Sequence, residues 1–123
     1  MSKRKKDAYQ CPLEVTMEII GGKYKGVIIG HLMGKTLRYS ELQRLIPHST
    51  PKMLIQQLKE LESDGIIKRK LYPVVPPKTE YSLTKRGELL IPAIIELNKW
   101  GMNYLKEEGI PCAYKGDIES DSV

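Results

Sequence analysis

A chain of 123 residues, 41% hydrophobic and 28% charged, suits one ordinary water-soluble domain. It contains no stretch approaching the ~18 apolar residues of a membrane span, and its basic start, Ser2-Lys3-Arg4-Lys5-Lys6, leads into no apolar signal segment; this argues against a membrane partner and predicts a cytoplasmic protein. The net charge of +5 is uneven: up to Arg86, 17 Lys and Arg stand against 8 Asp and Glu, a surplus of +9, and beyond it 3 stand against 7, a deficit of −4.

A basic body with an acidic end suits a nucleic-acid partner, and equally a merely solvated surface. A domain of this size buries roughly two thirds of its unfolded surface, so it needs no disulfide or metal to hold it. Cys11 and Cys112 lie far apart and make no metal-ligand spacing. No metal and no cofactor are expected, and in a reducing compartment both cysteines rest as thiols.

Residues 1–10 are polar, without periodicity, and are expected to form a flexible basic arm. Cys11-Pro12 opens the first helix, because proline at the first helical position gives up an N–H that has no partner there. Leu13, Met17 and Ile20, with Thr16 beside them, make one face, and Gly21-Gly22 ends the helix. Cys11 then sits near free N–H groups and the positive end of the helix dipole, which favour an anionic, reactive sulfur. The opposing reading is a buried, inert cysteine used as a small hydrophobe.

A second helix is predicted over Lys23 to Met33, with Tyr24, Val27, Ile28 and Leu32 on one face. Gly26 and Gly30 weaken it and leave room for another helix backbone. Gly34-Lys35-Thr36 resembles the end of a phosphate-binding loop, but position 29, where that motif needs glycine, is Ile29, and no strand precedes it. Gly34 is instead read as the helix C-cap.

A third helix starts at Tyr39 or Ser40, turns Leu42, Leu45 and Ile46 to the core, and stops at Pro47. Thr50 and Pro51 are an N-cap and first residue for a fourth. Leu54, Leu58 and Leu61 form its buried stripe, and Lys52, Gln56 and Lys59 its polar, basic opposite face. Glu60, Glu62 and Asp64 fall at its far end, and Ser63-Asp64-Gly65 ends it. A strand from Ile66 to Tyr72 carries Lys68, Arg69 and Lys70. The turn Pro73 to Pro77 is stiffened by its prolines, and a second strand runs from Lys78 to Leu83. Val74 and Val75 are apolar at an exposed tip, suited to DNA sugars or to a neighbour.

Thr84 caps a long last helix, about Lys85 to Glu107, kinked at Pro92. Leu89, Leu90, Ile91, Ile94, Ile95, Leu97, Trp100, Tyr104 and Leu105 cover more than one face, so the helix is expected to pack against a second subunit as well as its own core. Residues 109–123 form a tail, acidic from Asp117.

Helix, turn, helix, hairpin is the order of a winged helix-turn-helix, whose second helix enters a DNA groove. The expected fold is mostly α with a small β-hairpin wing, the domain spanning 11–108. Double-stranded DNA is the expected partner. Pro51, Lys52 and Gln56 would approach base edges, with Ser49 and Thr50 at the helix start. Arg38, Lys68, Lys70 and Lys78 would hold phosphates. The alternative is a winged-helix protein-interaction module that binds no DNA. An enzyme is not expected: His31 and His48 have no carboxylate pair, nucleophile motif or metal cluster beside them. The sequence identifies no small-molecule effector; the place considered for one is near Tyr24 and Trp100.

The segments Cys11-Pro12-Leu13-Glu14, Gly21-Gly22-Lys23-Tyr24, Arg38-Tyr39-Ser40-Glu41-Leu42, Leu58-Lys59-Glu60-Leu61-Glu62, Gly65-Ile66-Ile67, Tyr72-Pro73-Val74-Val75-Pro76-Pro77, Glu80-Tyr81-Ser82-Leu83-Thr84 and Gly87 fall in the order of the HxlR family. The chain thus resembles, from about Cys11 to Gly101, these bacterial winged-helix transcription regulators related to the MarR type. The proline-rich wing followed by Glu-Tyr-Ser-Leu-Thr carries the resemblance most specifically. It implies a homodimer joined through the N- and C-terminal helices, here Leu13, Met17, Ile94, Leu97, Trp100 and Tyr104. It also implies a roughly palindromic operator, with repression the expected effect. In several members the cysteine before proline, matched here by Cys11, senses oxidants or electrophiles, sometimes with a second cysteine, for which Cys112 is the candidate. The chain departs from the family at Tyr24, where tryptophan is usual, and at Gly26 and Gly30, where larger residues are usual. Pro51-Lys52 stands where many members carry paired basic residues, so an operator sequence does not carry over.

Overall fold

The computed structural model describes residues 8–112. Residues 1–7 and 113–123, which include most of the expected basic arm and the acidic tail, lie outside the described residues. Residues 9 and 10 of that arm are tied to the first helix: the Tyr9 hydroxyl donates to Glu18 Oε1 at 2.7 Å, and the Gln10 amide donates to Glu14 Oε1 at 3.3 Å.

The elements in order are α1 (Pro12–Ile20), α2 (Lys25–His31), β1 (Leu37–Arg38), α3 (Tyr39–Leu45), α4 (Pro51–Ser63), β2 (Ile67–Tyr72), β3 (Lys78–Leu83), α5 (Lys85–Glu88) and α6 (Ile91–Glu108). This is the mostly helical winged helix-turn-helix that the sequence predicts. The start of α1 at Pro12 behind Cys11, and of α4 at Pro51 behind Thr50, follow the proline and N-cap rules. Gly34 takes φ +66 after α2, a backbone that side-chain-bearing residues avoid.

Several expectations are corrected or extended. The second helix is shorter, because Tyr24 lies outside helical geometry (φ −116, ψ 2) and the Lys25 amide turns back to the Gly22 carbonyl at 3.3 Å. Leu45 points out to solvent, while Leu42 and Ile46 enter the core. The expected hairpin of β2 and β3 is present and gains a short third strand: β1 pairs with β3 at Leu37↔Tyr81 and Arg38↔Glu80, giving the order β1-β3-β2. The long last helix is broken rather than kinked. Pro92 has no N–H to bond the Glu88 carbonyl, so α5 ends and α6 restarts with proline in its first turn.

The core lies where α2, α3, α4 and the root of the sheet meet. Ile28, Ile29, Leu32, Leu42, Leu54, Leu58, Leu61, Ile66 and Ile67 are all fully buried, each such side chain contributing about 1.5–3 kcal/mol. Ile94 closes the core from α6 and lies beside Gly26, where an added Cβ would make only an ordinary contact with it. Ile94 is therefore a core residue of its own chain, buried like Leu54, and not part of the free surface expected for pairing. The base of the wing is locked to α5. The Thr84 hydroxyl donates to the Gly65 carbonyl at 2.6 Å and accepts from the Gly87 amide at 3.1 Å. Gly87 runs so close to the Ile66 carbonyl that a Cβ there would overlap it.

Candidate nucleic-acid interface

The fourth helix is held by its start, its back and its flank. Its start is capped by Thr50, whose Oγ1 accepts from the Met53 amide at 3.1 Å. The turn before it is closed by the Ser49 hydroxyl, which donates to the Ile46 carbonyl at 2.8 Å, and by the Tyr24 hydroxyl, which donates to the His48 carbonyl at 3.1 Å. Tyr24 thus uses a group that tryptophan would lack. Ser49 and Thr50, expected at the DNA, have their hydroxyls engaged in building this turn.

The back of α4 buries Leu54, Leu58 and Leu61 together with a polar residue, Gln57. The Tyr24 amide donates to Gln57 Oε1 at 2.8 Å. Beside it Lys25 is buried, its side chain 5% exposed, and its Nζ meets Glu60 Oε1 at 2.6 Å. A buried ammonium requires such a partner. Neither Lys25 nor Gln57 is legible as interior from the pattern of the sequence.

What α4 leaves exposed is Pro51, Lys52, Met53, Ile55, Gln56 and Lys59. Pro51, Lys52 and Gln56, the expected base-reading residues, thus lie on the open side of the helix. Lys52 stands in the first turn and Gln56 one turn on.

Between α4 and the wing opens a cleft of about 910 Å³. Arg38 and Ser40 line one edge, Ile55 and Lys59 the helix side, and Arg69, Lys78 and the tip residues Val74 to Pro77 the wing side. Arg38 and Lys78, expected at phosphates, meet in this cleft. Lys68 and Lys70 do not. Side chains alternate across a strand, and these two line a separate groove of about 480 Å³ with Tyr72, Glu80 and Ser82; Lys78, opposite Tyr72 in the register, reaches the Tyr72 ring on that side from the end of its strand. Arg69, not singled out by its position in the basic run, lines both the cleft and this groove. The period-2 alternation with buried Ile67 was the signal that would have found it.

The wing cations are positioned by aromatic and acidic neighbours. Lys70 Nζ and Lys78 Nζ stand 5.0 Å and 4.6 Å from the centre of the Tyr72 ring. Lys78 also meets Glu80 at 3.7 Å, and Arg69 meets Glu62 at 3.6 Å. Such part-exposed pairs are weak and yield readily to a phosphate. At the tip Val75 is 99% exposed.

Away from this face, Cys11 and Cys112 are both exposed, so the buried-hydrophobe reading of Cys11 does not hold. Cys11 occupies the N-cap position of α1, and its side chain makes no capping bond. Leu13 and Met17 on α1, and Leu97, Trp100 and Tyr104 on α6, are large apolar residues open to solvent. The Trp100 and Tyr104 rings stack at 5.5 Å. His31 is buried and His48 exposed in the turn before α4. Among the described residues no cluster of His, Cys, Asp or Glu suits a metal ion, and no helix is long and apolar enough to cross a membrane.

Comparison with known proteins matches residues 19–109 to the HxlR-like helix-turn-helix family. The HTH-type transcriptional regulator YkvN of Bacillus subtilis is 52% identical over 100 residues, 81% of this chain and 85% of YkvN. Among solved structures, the redox regulator HypR in its oxidised form superposes with a TM-score of 0.71 at 45% identity, covering 76% of this chain and 96% of HypR. The transcriptional regulator YodB of B. subtilis, in its reduced form, superposes with a TM-score of 0.65 at 35% identity, covering 75% of this chain and 91% of YodB.

Proposed function

Because the chain belongs to the HxlR-like helix-turn-helix family of DNA-binding transcriptional regulators, a non-enzymatic class, we propose that it is a homodimeric repressor that grips a roughly palindromic operator. The observation that carries this reading is the cleft between the open face of α4 and the wing. It brings Lys59 of α4 together with Arg38, Arg69 and Lys78 as phosphate-holding groups, while Lys52 and Gln56 stand exposed on the same helix as base-reading groups. Lys68 and Lys70, on the other sheet face, reach the backbone that flanks the groove.

One such unit binds weakly and with little sequence choice. The exposed residues Leu13 and Met17 on α1 and Leu97, Trp100 and Tyr104 on α6 are the surface we assign to the second copy. Inward of these residues, buried Ile20 and Ile94 and half-buried Val27 floor an apolar groove of about 300 Å³. Pairing there sets two α4 helices about one DNA turn, ~34 Å, apart. A regulator of transcription works where the DNA is, and we assign the protein to the cytoplasm. The organisation we assign is a domain from 11 to 108 between an N-terminal arm and a C-terminal tail.

The likeness to HypR, a redox regulator, supports a sensing role for exposed Cys11. Two thiols, Cys11 and Cys112 or their copies across the dimer, would join as a disulfide while an oxidant takes up two electrons and two protons. A crosslink beside the pairing helices alters the spacing of the two α4 helices and releases DNA.

The test is a gel shift with the intergenic region upstream of the protein's own gene, searched for an inverted repeat. A retarded band at physiological salt, lost on mutating either half of the repeat, is expected. No band on any such duplex would overturn the reading. Binding left unaltered by full oxidation of Cys11 would sink the sensing role alone.

A further inference from the structure

We propose that Glu60 and Lys25 are positioning residues that set the hydrogen-bonding sense of Gln56, so that one base pair in each half-site selects adenine over guanine. This rests on the reading of α4 as the helix that enters the groove.

Gln56 and Glu60 stand one turn apart on α4, and Gln56 Nε2 donates to Glu60 Oε2 at 3.3 Å. A carboxylate only accepts hydrogen bonds, so the nitrogen end of the amide is the end turned toward it. The other carboxylate oxygen, Oε1, is held by Lys25 Nζ at 2.6 Å. Lys25 comes from α2, and its side chain is packed to 5% exposure, whereas Glu60 remains 41% exposed. The ammonium is thus fixed by the core, the carboxylate by the ammonium, and the amide by the carboxylate. A charge buried this deeply keeps its partner in place, since leaving it alone is costly.

The consequence lies at the outer edge of Gln56. With its nitrogen end drawn back toward Glu60, the amide offers its oxygen as an acceptor, with its remaining N–H alongside. Adenine presents the complement in the major groove, the N6 donor beside the N7 acceptor. Guanine presents two acceptors, O6 and N7, and opposes the oxygen. An exposed glutamine without this tether turns its amide freely and matches either base.

The experiment selects duplexes from a randomised library with the wild-type protein and with Gln56→Ala. The base pair at which the two selections differ is the one that Gln56 reads. At that position the wild type is expected to prefer adenine over guanine by at least about fivefold, the lower end of what a bidentate pair supplies. Glu60→Gln keeps the shape but turns its oxygen to Lys25 and its NH₂ to Gln56, which must then reverse its own amide. The preference is expected to move to guanine. A ratio of affinities on two duplexes cancels the general gain from removing a negative charge near DNA.

Should Glu60→Gln fold poorly, the double variant Lys25→Met/Glu60→Gln leaves no buried ammonium unpaired and releases the amide. Its adenine-to-guanine ratio is expected near one. A wild-type preference for guanine, or a wild-type ratio retained in either variant, overturns the proposal. If only Gln56→Ala changes the ratio, Gln56 still reads the base and the tether alone is wrong. If Gln56→Ala and the wild type select the same sequences throughout, the base-reading role fails and the proposal with it.

Discussion

The Tyr24 backbone amide donates to Gln57 Oε1 at 2.8 Å across 33 positions of sequence, in the buried seam between α2 and α4. The Tyr24 side chain reaches over the same seam to the His48 carbonyl. One residue thus sets both the depth of α4 and the turn that leads into it. Gln57→Leu keeps the volume but leaves the amide without its acceptor, a loss of about 1–3 kcal/mol. Urea denaturation is expected to show a lower midpoint with an unchanged slope.

Gly87 admits no side chain, because a Cβ would overlap the Ile66 carbonyl oxygen. That carbonyl also accepts from the Thr84 amide at 3.0 Å, so neither it nor the wing root can move aside without losing the bond. Gly87→Ala is expected to cost about 3 kcal/mol, the upper part of the overpacking range. Thr84→Val, which removes the cap and the hydroxyl's bond to the Gly65 carbonyl, is expected to cost about 2 kcal/mol. Thermal unfolding of the two variants ranks them.

Trp100 is 68% exposed while stacked on Tyr104. A ring pair held ready on an open helix face suits a partner more than solvent. Trp100→Glu places a charge at the centre of the assigned pairing surface. Sedimentation is expected to show a monomer with an intact helical spectrum. Operator affinity is expected to fall at least tenfold, because two half-sites are no longer read together.

The wing cations make predictions about salt. Removing one phosphate contact lowers the slope of log affinity against log salt by about 0.9. Lys78→Ala and Arg69→Ala are each expected to show that drop on operator and unrelated DNA alike. Glu62→Ala, which frees Arg69 from its pair at 3.6 Å, is expected to strengthen binding to both. An unchanged slope in Lys78→Ala would remove the wing from the interface.

Burial raises the Tyr81 phenol above its ordinary 10.0, with Glu62 and Tyr39 adding to the rise and Arg69 opposing it. A group raised on folding keeps its full contribution below the unfolded value and loses it as pH climbs through the folded one. Stability is therefore expected to hold to about pH 10 and to decline above it. The decline should be shallower in Tyr81→Phe, followed by urea unfolding at a series of alkaline pH values.

The sequence by itself determined the order of the helix-turn-helix and wing elements. Thr50-Pro51 starts α4 because capping and proline chemistry are local, and Leu54, Leu58 and Leu61 lie inside because helical period is local too. Gly65, at φ +76, ends that segment for the same kind of reason. The expected exposure of Lys52 and Gln56 followed from that period without any tertiary knowledge.

Tertiary structure decided whatever depends on a neighbour distant in the chain. Leu37–Arg38 is too short to read as a strand and exists because β3 offers it hydrogen bonds. Pro92 is compatible with a kink or a break; α6 restarts there with Ile94 lodged beside Gly26 of α2. Lys25 reads as a surface cation until Glu60, 35 positions on, comes within 2.6 Å of it. A lysine can be buried only where folding supplies its counter-charge, and no local pattern records where that charge will be.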